Sequence, residues 1–461
     1  MTMDEVSGKR PAPVPRSTAP HILLINPWIH DFAAYDFWAK PLGLLMLAAV
    51  LRRHGAEVSY IDCLDRLHPR VPKCDPAARY GRGPYLKTRI PKPPGLDDVP
   101  RNYARYGIQP EWFLEDIRKL PHPDIVLVTS MMTYWYPGVQ ECISLARTVL
   151  PDTPIVLGGV YATLCFDHAV RFSGADMVAA GRGEPQILDI VRRITGWSVA
   201  PEFDLSCLDV LPFPAADLQR HIPYIPLMTS TGCPFSCAYC ACSYLNPERG
   251  RRSVSRIFEE ICYWNSRYGV RDMVFYDDAL LVDPQRHAMP LFEKIVAAGL
   301  GEKIRFHTPN AVHIREISPA MAHLMFAAGF KTLRLGLETT EGRHDLDCKV
   351  THHEFLAAAA SLKAAGFQKE QIGAYLLTGL PGQNWADVAA SVETVRKSGV
   401  MPIPAYFTPI PHTALWPQAV ASSRYDLEAD PVFTNNAIFP CSKEPFSWTP
   451  LVMLKKLTGA V

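Results

Sequence analysis

The chain has 461 residues, 48% of them hydrophobic and 20% charged, with a net charge of +1. That length exceeds one ordinary core, so two domains plus extensions are expected. The neutral balance excludes a basic nucleic-acid footprint.

Residues 1–20 mix charge and proline without an apolar core and read as a disordered tail rather than a signal peptide. From there the chain alternates strand and helix. Residues 22–26 form an apolar strand, and a helix over 42–54 ends at Gly55, a glycine suited to a C-cap. Further strands are expected at 58–61, 124–129, 154–157 and 176–180, with helices over 138–150 and from Glu184 to Ile194. Five strands with intervening helices predict a doubly wound, flavodoxin-like domain over 21–200. About 67–110 is proline-rich and basic without a period, which suits either a lid or an insertion packed on the surface. The apolar run Pro41–Leu51 is too short to span a membrane.

A linker over 201–220 leads to a second α/β segment, 221–411. Strands are expected at 226–232, 272–276, 303–307, 332–337, 371–378 and 402–408, and helices over 253–268, 291–300, 319–328, 353–365 and 385–397. Six such units predict a parallel sheet curved into a partial (β/α)6 barrel. The extension 412–461 is rich in aromatics and proline, including Trp416, Phe433, Phe439, Phe446 and Trp448. It suits packing against the barrel or closing its substrate pocket.

Thr231-Gly-Cys-Pro-Phe-Ser-Cys-Ala-Tyr-Cys240 follows the first strand of that segment. The spacing C-x3-C-x2-C brings Cys233, Cys237 and Cys240 together. Three thiolates hold three irons of a [4Fe–4S] cluster and leave the fourth iron open. A structural zinc site takes four ligands as two separated pairs, and Cys242 is cramped as a local fourth. Twelve cysteines without a secretion signal predict a reducing cytoplasm, where thiols stay free for metal.

This loop, with Tyr239 before its third cysteine, resembles that of the radical S-adenosylmethionine (SAM) enzymes. The resemblance implies that the open iron chelates SAM and that one electron cleaves it to a 5′-deoxyadenosyl radical. It implies SAM contacts at Tyr239, Asp278 (or its neighbour Asp277), Asn310, Glu338 and Gly379. The turn Gly379-Leu-Pro-Gly382-Gln383 carries glutamine where the family usually has an acid. An electron donor such as flavodoxin or ferredoxin is also implied.

The N-terminal half resembles the cobalamin-binding class of these enzymes. Val128-Thr-Ser130 and Leu157-Gly158-Gly159 match the serine and glycine pair that shape the slot for the nucleotide tail, and Gly183-Glu184 matches a recurrent element of the class. The cobalt-ligating D-x-H-x-x-G is absent: the first strand ends Asn26-Pro-Trp-Ile-His30-Asp31, and Asp65-Arg-Leu-His68 has the wrong spacing and place. His30 and His68 are therefore expected to be ordinary histidines. Weak catalytic candidates are His307, Tyr375 and Tyr406, and Cys242, Cys348 and Cys441 are candidate donors with a buried free thiol as the default.

The resemblance implies a cobalamin-dependent methyltransferase that methylates an unactivated carbon through methylcobalamin. The alternatives are cyclisation, rearrangement or oxidation on the same architecture, a degenerate N-terminal domain without cobalamin, and a non-enzymatic regulator. The substrate is expected to be a small molecule or a peptide or protein residue.

Overall fold

The computed structural model describes residues 16–340, 346, 350–442, 446–449, 452, 454 and 458. Most of the expected N-terminal tail and Cys348 lie outside the described residues. Two compact units are present: Met1–Pro223 with Asp430–Val432, and Tyr224–Ala429 with Phe433–Val461.

The first unit contains strands β1 (His21–Asn26), β2 (Ile29–Asp31), β3 (Glu57–Asp62), β4 (Lys87–Arg89), β5 (Ala104–Tyr106), β6 (Ile125–Val128), β7 (Ile155–Leu157) and β8 (Met177–Val178). Five of them form one parallel sheet in the order β3-β1-β6-β7-β8. Counting only these, the order is 2-1-3-4-5, with the switch point between β1 and β6. β1, β6 and β7 are buried along their whole lengths, which is why they read as unbroken apolar runs. The helix Leu42–Arg53 buries Leu44, Leu45, Ala48 and Leu51, with Arg52 and Arg53 closing its last turn. Gly55 follows at φ 96°, a left-handed conformation in which glycine avoids a Cβ clash.

The segment 67–110 has structure that periodicity does not show. It supplies β4 and β5, which pair antiparallel with each other and with β2 in the order β2-β5-β4. Tyr85, Ala104 and Tyr106 pack there with Ile29 and Leu64. Each strand is three residues long, too short to display an alternation.

The second unit contains β9 (Ile225–Leu227), β10 (Ser230–Thr231), β11 (Gly250–Arg251), β12 (Asp272–Phe275), β13 (Arg305–His307), β14 (Phe330–Glu338), β15 (Ile372–Thr378) and β16 (Met401–Tyr406). Six of them form a parallel sheet ordered β16-β15-β14-β13-β12-β9. Crossover helices run over Val254–Tyr268, Ala288–Ala297, Pro319–Ala327, His352–Ala364 and Trp385–Lys397. Local chemistry sets their starts: Ser253 accepts from Arg256 N, Ser318 precedes Pro319 and accepts from Met321 N, and Thr351 with Glu354 forms a capping box. Phe275, Phe292, Phe306 and Phe330 fill the core with ring centroids 5.0–6.2 Å apart.

One expected element is corrected. The strand over 226–232 is two pieces, β9 and β10, and β10 pairs antiparallel with β11 instead of extending the barrel. The break falls at Thr229, whose backbone N–H bonds the Asp277 carboxylate rather than a neighbouring strand.

Candidate active site

The cysteine loop leaves β10 at the C-terminal edge of the parallel sheet, where such sheets carry their chemistry. Cys237 is buried, Cys233 half-buried and Cys240 exposed. Cys240 N bonds Cys237 O at 3.0 Å, and Cys242 N approaches Cys240 Sγ at 3.5 Å. Backbone bonds from Ala238 N to Leu346 O and from Leu415 N to Ala238 O fasten the loop's middle. Tyr239 is half-buried and packs against the hydrophobic cluster that includes Leu377, Leu380 and Phe407. The thiols of Cys233 and Cys240 lie near that of Cys242, and burial together with the Asp278 carboxylate pushes the Cys242 thiol well up. Among the described residues no three His, Cys, Asp or Glu side chains converge on one point. The donor set, three thiols on one short loop, fits an iron–sulfur cluster with one open iron.

Both aspartates after β12 turn to the stem of this loop. Asp277, 2% exposed, accepts from Thr229 N at 3.1 Å, Thr229 Oγ1 at 2.5 Å and Ser230 Oγ at 2.7 Å. Burial raises its pKa despite those bonds. Asp278 accepts from Gly232 N at 3.1 Å and Asn246 Nδ2 at 3.3 Å, tying the residue before the loop to one after it. Strand alternation, which would send only one of the pair inward, does not apply because β12 ends at Phe275. Beneath them, Thr229 donates to Asp277 and so accepts from His287 Nε2 at 2.7 Å. Burial lowers the His287 pKa to about 4. Sequence reasoning passed over His287 because no motif marks it; its role comes from a fold contact 58 residues away.

The other strand ends carry the remaining candidates. Asn310, exposed after β13, donates to Tyr276 O at 2.9 Å and Asp277 O at 3.3 Å. Tyr375 donates its hydroxyl to Pro309 O at 2.7 Å, beside Asn310, and burial raises its pKa, keeping the phenol neutral. Glu338 ends β14 at φ 63° and is 7% exposed. A non-glycine residue held there costs about 1–3 kcal/mol and is typical of functional sites. Gly379 has φ 89°, and an added Cβ would meet Phe439 Cδ1 at 2.9 Å. Gln383 closes the turn: its Oε1 accepts from Gly379 N at 2.8 Å and Leu380 N at 3.2 Å, while its Nε2 donates to Leu377 O at 2.9 Å. A carboxylate cannot make the third bond, so glutamine has a physical reason here. Tyr406 packs on Phe439 at 4.9 Å.

His307 stands apart from this group. It is fully buried, with Nε2 3.0 Å from Asp272 Oδ1 and Nδ1 3.1 Å from Thr332 Oγ1. It reads as a satisfied core histidine. Cys441 is likewise buried, in the core with Leu377 and Phe407.

In the first unit Ser130 follows β6 and Gly158-Gly159 follow β7. Ser130 Oγ donates to Gly158 O at 2.6 Å and accepts from Ala162 N at 3.3 Å. The glycines differ in role. A Cβ on Gly159 would stand 2.3 Å from Ser130 O, and its φ is 95°, so the protein itself demands glycine. A Cβ on Gly158 would meet only Ala179 O, at an ordinary 3.7 Å. That clearance fits a slot for a ligand's tail. Gly183 lets its backbone lie against Leu47, and Glu184 stands 3.6 Å from Arg182. His30 bonds Glu141 at 2.7 Å; His68 bonds Asp116 at 3.3 Å and stacks on Trp112. Both are engaged within the protein.

Residues 227–395 match the radical SAM superfamily and residues 102–191 the B12 binding domain. The chain belongs to the radical SAM enzymes that carry a B12-binding domain. Its cofactors are accordingly a [4Fe–4S] cluster, SAM and cobalamin. The B12-domain match begins after β4, so β1 and β3 lie outside it. Among relatives of this radical SAM enzyme, an uncharacterized methyltransferase of Pyrococcus horikoshii is 25% identical over 69% of this chain and 74% of its own. The cytidylyl-2-hydroxyethylphosphonate methyltransferase of Streptomyces wedmorensis is 23% identical over 69% and 65%. A solved structure, the radical SAM methyltransferase TsrM of Kitasatospora setae with cobalamin and a [4Fe–4S] cluster bound, shares the fold. Its TM-score is 0.63 at 15% identity, covering 88% of this chain and 78% of that one. No helix among the described residues is long and apolar enough to cross a membrane.

Two outcomes follow from this geometry. Gly159→Ala should cost roughly 2–3 kcal/mol, from the φ penalty plus overpacking, and weaken cobalamin retention, whereas Gly158→Ala should leave stability within ~0.5 kcal/mol and impair retention alone. Urea denaturation with cobalamin absorbance separates them; equal destabilisation would contradict the two roles. The second concerns pH. The folded-state pKa of His287 lies below its unfolded value, so its contribution is fully present above about pH 6.5 and is lost as pH falls towards 4. Between pH 7.5 and 4.5 the wild type should lose up to ~2 kcal/mol more than His287→Gln; parallel stability curves would show that His287 is not held neutral.

Proposed function

We propose that this chain is a cobalamin-dependent radical SAM methyltransferase that methylates an unactivated carbon of a small molecule or a peptide or protein residue. The observation that carries the reading is the pairing, in one chain, of a three-cysteine loop at the C-terminal edge of an open parallel barrel with a B12-binding sheet bearing the Ser130–Gly158 slot. When bound, the cluster and SAM supply radical hydrogen abstraction and cobalamin supplies the methyl transfer. Methyltransferases among the relatives support the same chemistry.

The chain's own residues then have distinct tasks. Cys233, Cys237 and Cys240 hold the cluster. Asp278 clasps the loop that carries them, and Asp277 with Thr229 and Ser230 fixes its stem. Asn310, Glu338, Tyr239 and the Gly379 turn grip SAM. Tyr375 holds the Pro309 carbonyl and so positions Asn310. Ser130, Gly158 and Gly159 receive the cobalamin tail. The chain has no D-x-H-x-x-G motif, so it offers cobalamin no histidine of that motif. Reduced thiols and an oxygen-sensitive cluster suit a cytoplasmic setting.

The test is the triple variant Cys233→Ala, Cys237→Ala, Cys240→Ala. It should lose the roughly four irons of the cluster and all 5′-deoxyadenosine formation, while the first unit still retains cobalamin. SAM cleavage persisting in that variant would overturn the reading.

A further inference from the structure

Phe439 stands where a bulky residue is disfavoured. Its φ of 52° and ψ of 61° lie in the left-handed region, where a Cβ crowds the backbone and glycine or asparagine is the usual occupant. Asn435 and Asn436 are close by, yet the left-handed position falls on a phenylalanine that is 2% exposed. Such a residue persists only where its surroundings fix it. They do so from both sides. Asn435 caps the short turn Asn436–Ile438 by accepting from Ala437 N at 2.8 Å. Arg424 donates its Nη2 to Ile438 O at 2.6 Å and its backbone N–H to Pro440 O at 3.0 Å.

The ring so fixed lies against one feature of the barrel. It fills the space that a Cβ on Gly379 would take, with Cδ1 2.9 Å and Cε1 3.3 Å from that position. It also packs on Tyr406, the last residue of β16, at 4.9 Å, and on Trp385, the first residue of the helix after the turn, at 6.1 Å. Gln383 ties the Gly379 turn from within, and Phe439 braces it from without. The superfamily match ends at residue 395, so Phe439 lies outside the shared segment.

We propose that Phe439 is a positioning residue for SAM, through which the C-terminal extension sets the shape of the Gly379 turn and hence the affinity for SAM. The proposal rests on the radical SAM reading of that turn. The ring closes the Cβ side of Gly379 and leaves the opposite, backbone side to SAM. Phe439 acts through the turn, not by touching SAM or the cluster.

The experiment uses the full chain. On protein without reconstituted cluster, urea midpoints are measured for Phe439→Leu, Gly379→Ala and the double variant. An alanine Cβ at 379 meets the ring, so Phe439→Leu should lower the midpoint less in the Gly379→Ala background than in the wild type. Equal shifts would overturn the proposal. On reconstituted protein, equilibrium dialysis measures binding of S-adenosylhomocysteine, and 5′-deoxyadenosine formation with dithionite gives KM and kcat for SAM. Phe439→Leu, and Phe439→Asn with its tolerance of the left-handed backbone, should weaken that binding and raise KM by at least ~10-fold. Their kcat and iron content should hold, as expected when only binding is lost. Phe292→Leu removes a core ring that packs on Phe275 and Phe330 instead, and should lower the midpoint without raising KM. Unchanged affinity and KM in the folded Phe439 variants, or a KM raised equally by Phe292→Leu, would overturn the proposal while leaving the radical SAM reading standing. Wild-type protein that neither binds S-adenosylhomocysteine nor cleaves SAM would overturn both.

Discussion

The carboxylates of Asp277 and Asp278 hold the stem of the cysteine loop, and the barrel's chemistry depends on that clasp. A loop with three thiols has no secondary structure of its own to aim it. Here the bonds to Thr229, Ser230, Gly232 and Asn246 fix both of its approaches from one strand end. A buried carboxylate with several donors is costly to desolvate and costly to leave unpaired, so it favours a single arrangement of the backbone around it. The His287–Thr229 bond extends the same network downward into the barrel wall.

The first unit solves a different problem with smaller means. Ser130 and Gly159 bring two strand-end loops into backbone contact, with Ser130 O accepting from Val160 N at 2.8 Å. That contact builds one wall of the slot, and Gly158 leaves the clearance beside it. In this dipeptide the fold demands glycine at Gly159, while Gly158 leaves the clearance proposed for the ligand.

Much of this was legible in the residues. Continuous apolar runs locate the buried parallel strands, and the helices expected from 253, 319 and 353 start within a residue of those places, at Val254, Pro319 and His352. The cysteine spacing named its own chemistry. What stayed hidden depended on tertiary contact. The three-residue strands β4 and β5 are too short to carry a period. The turning of β10 away from the barrel follows from Asp277, which lies 48 residues from Thr229. Asp278, expected as a SAM contact, has its observed partners in the protein, and Gln383, which stands where the family usually has an acid, makes three bonds to the turn.

The proposed methyltransferase uses SAM in two ways, as a radical source at the barrel and as a methyl source for cobalamin. The most direct measurement is the product ratio from SAM. The full chain is purified anaerobically with hydroxocobalamin, iron and sulfide supplied, then incubated with SAM and a reductant. Retained cobalamin and formation of both 5′-deoxyadenosine and S-adenosylhomocysteine are expected. Formation of 5′-deoxyadenosine alone, without retained cobalamin, would contradict that expectation and leave the first unit with another task.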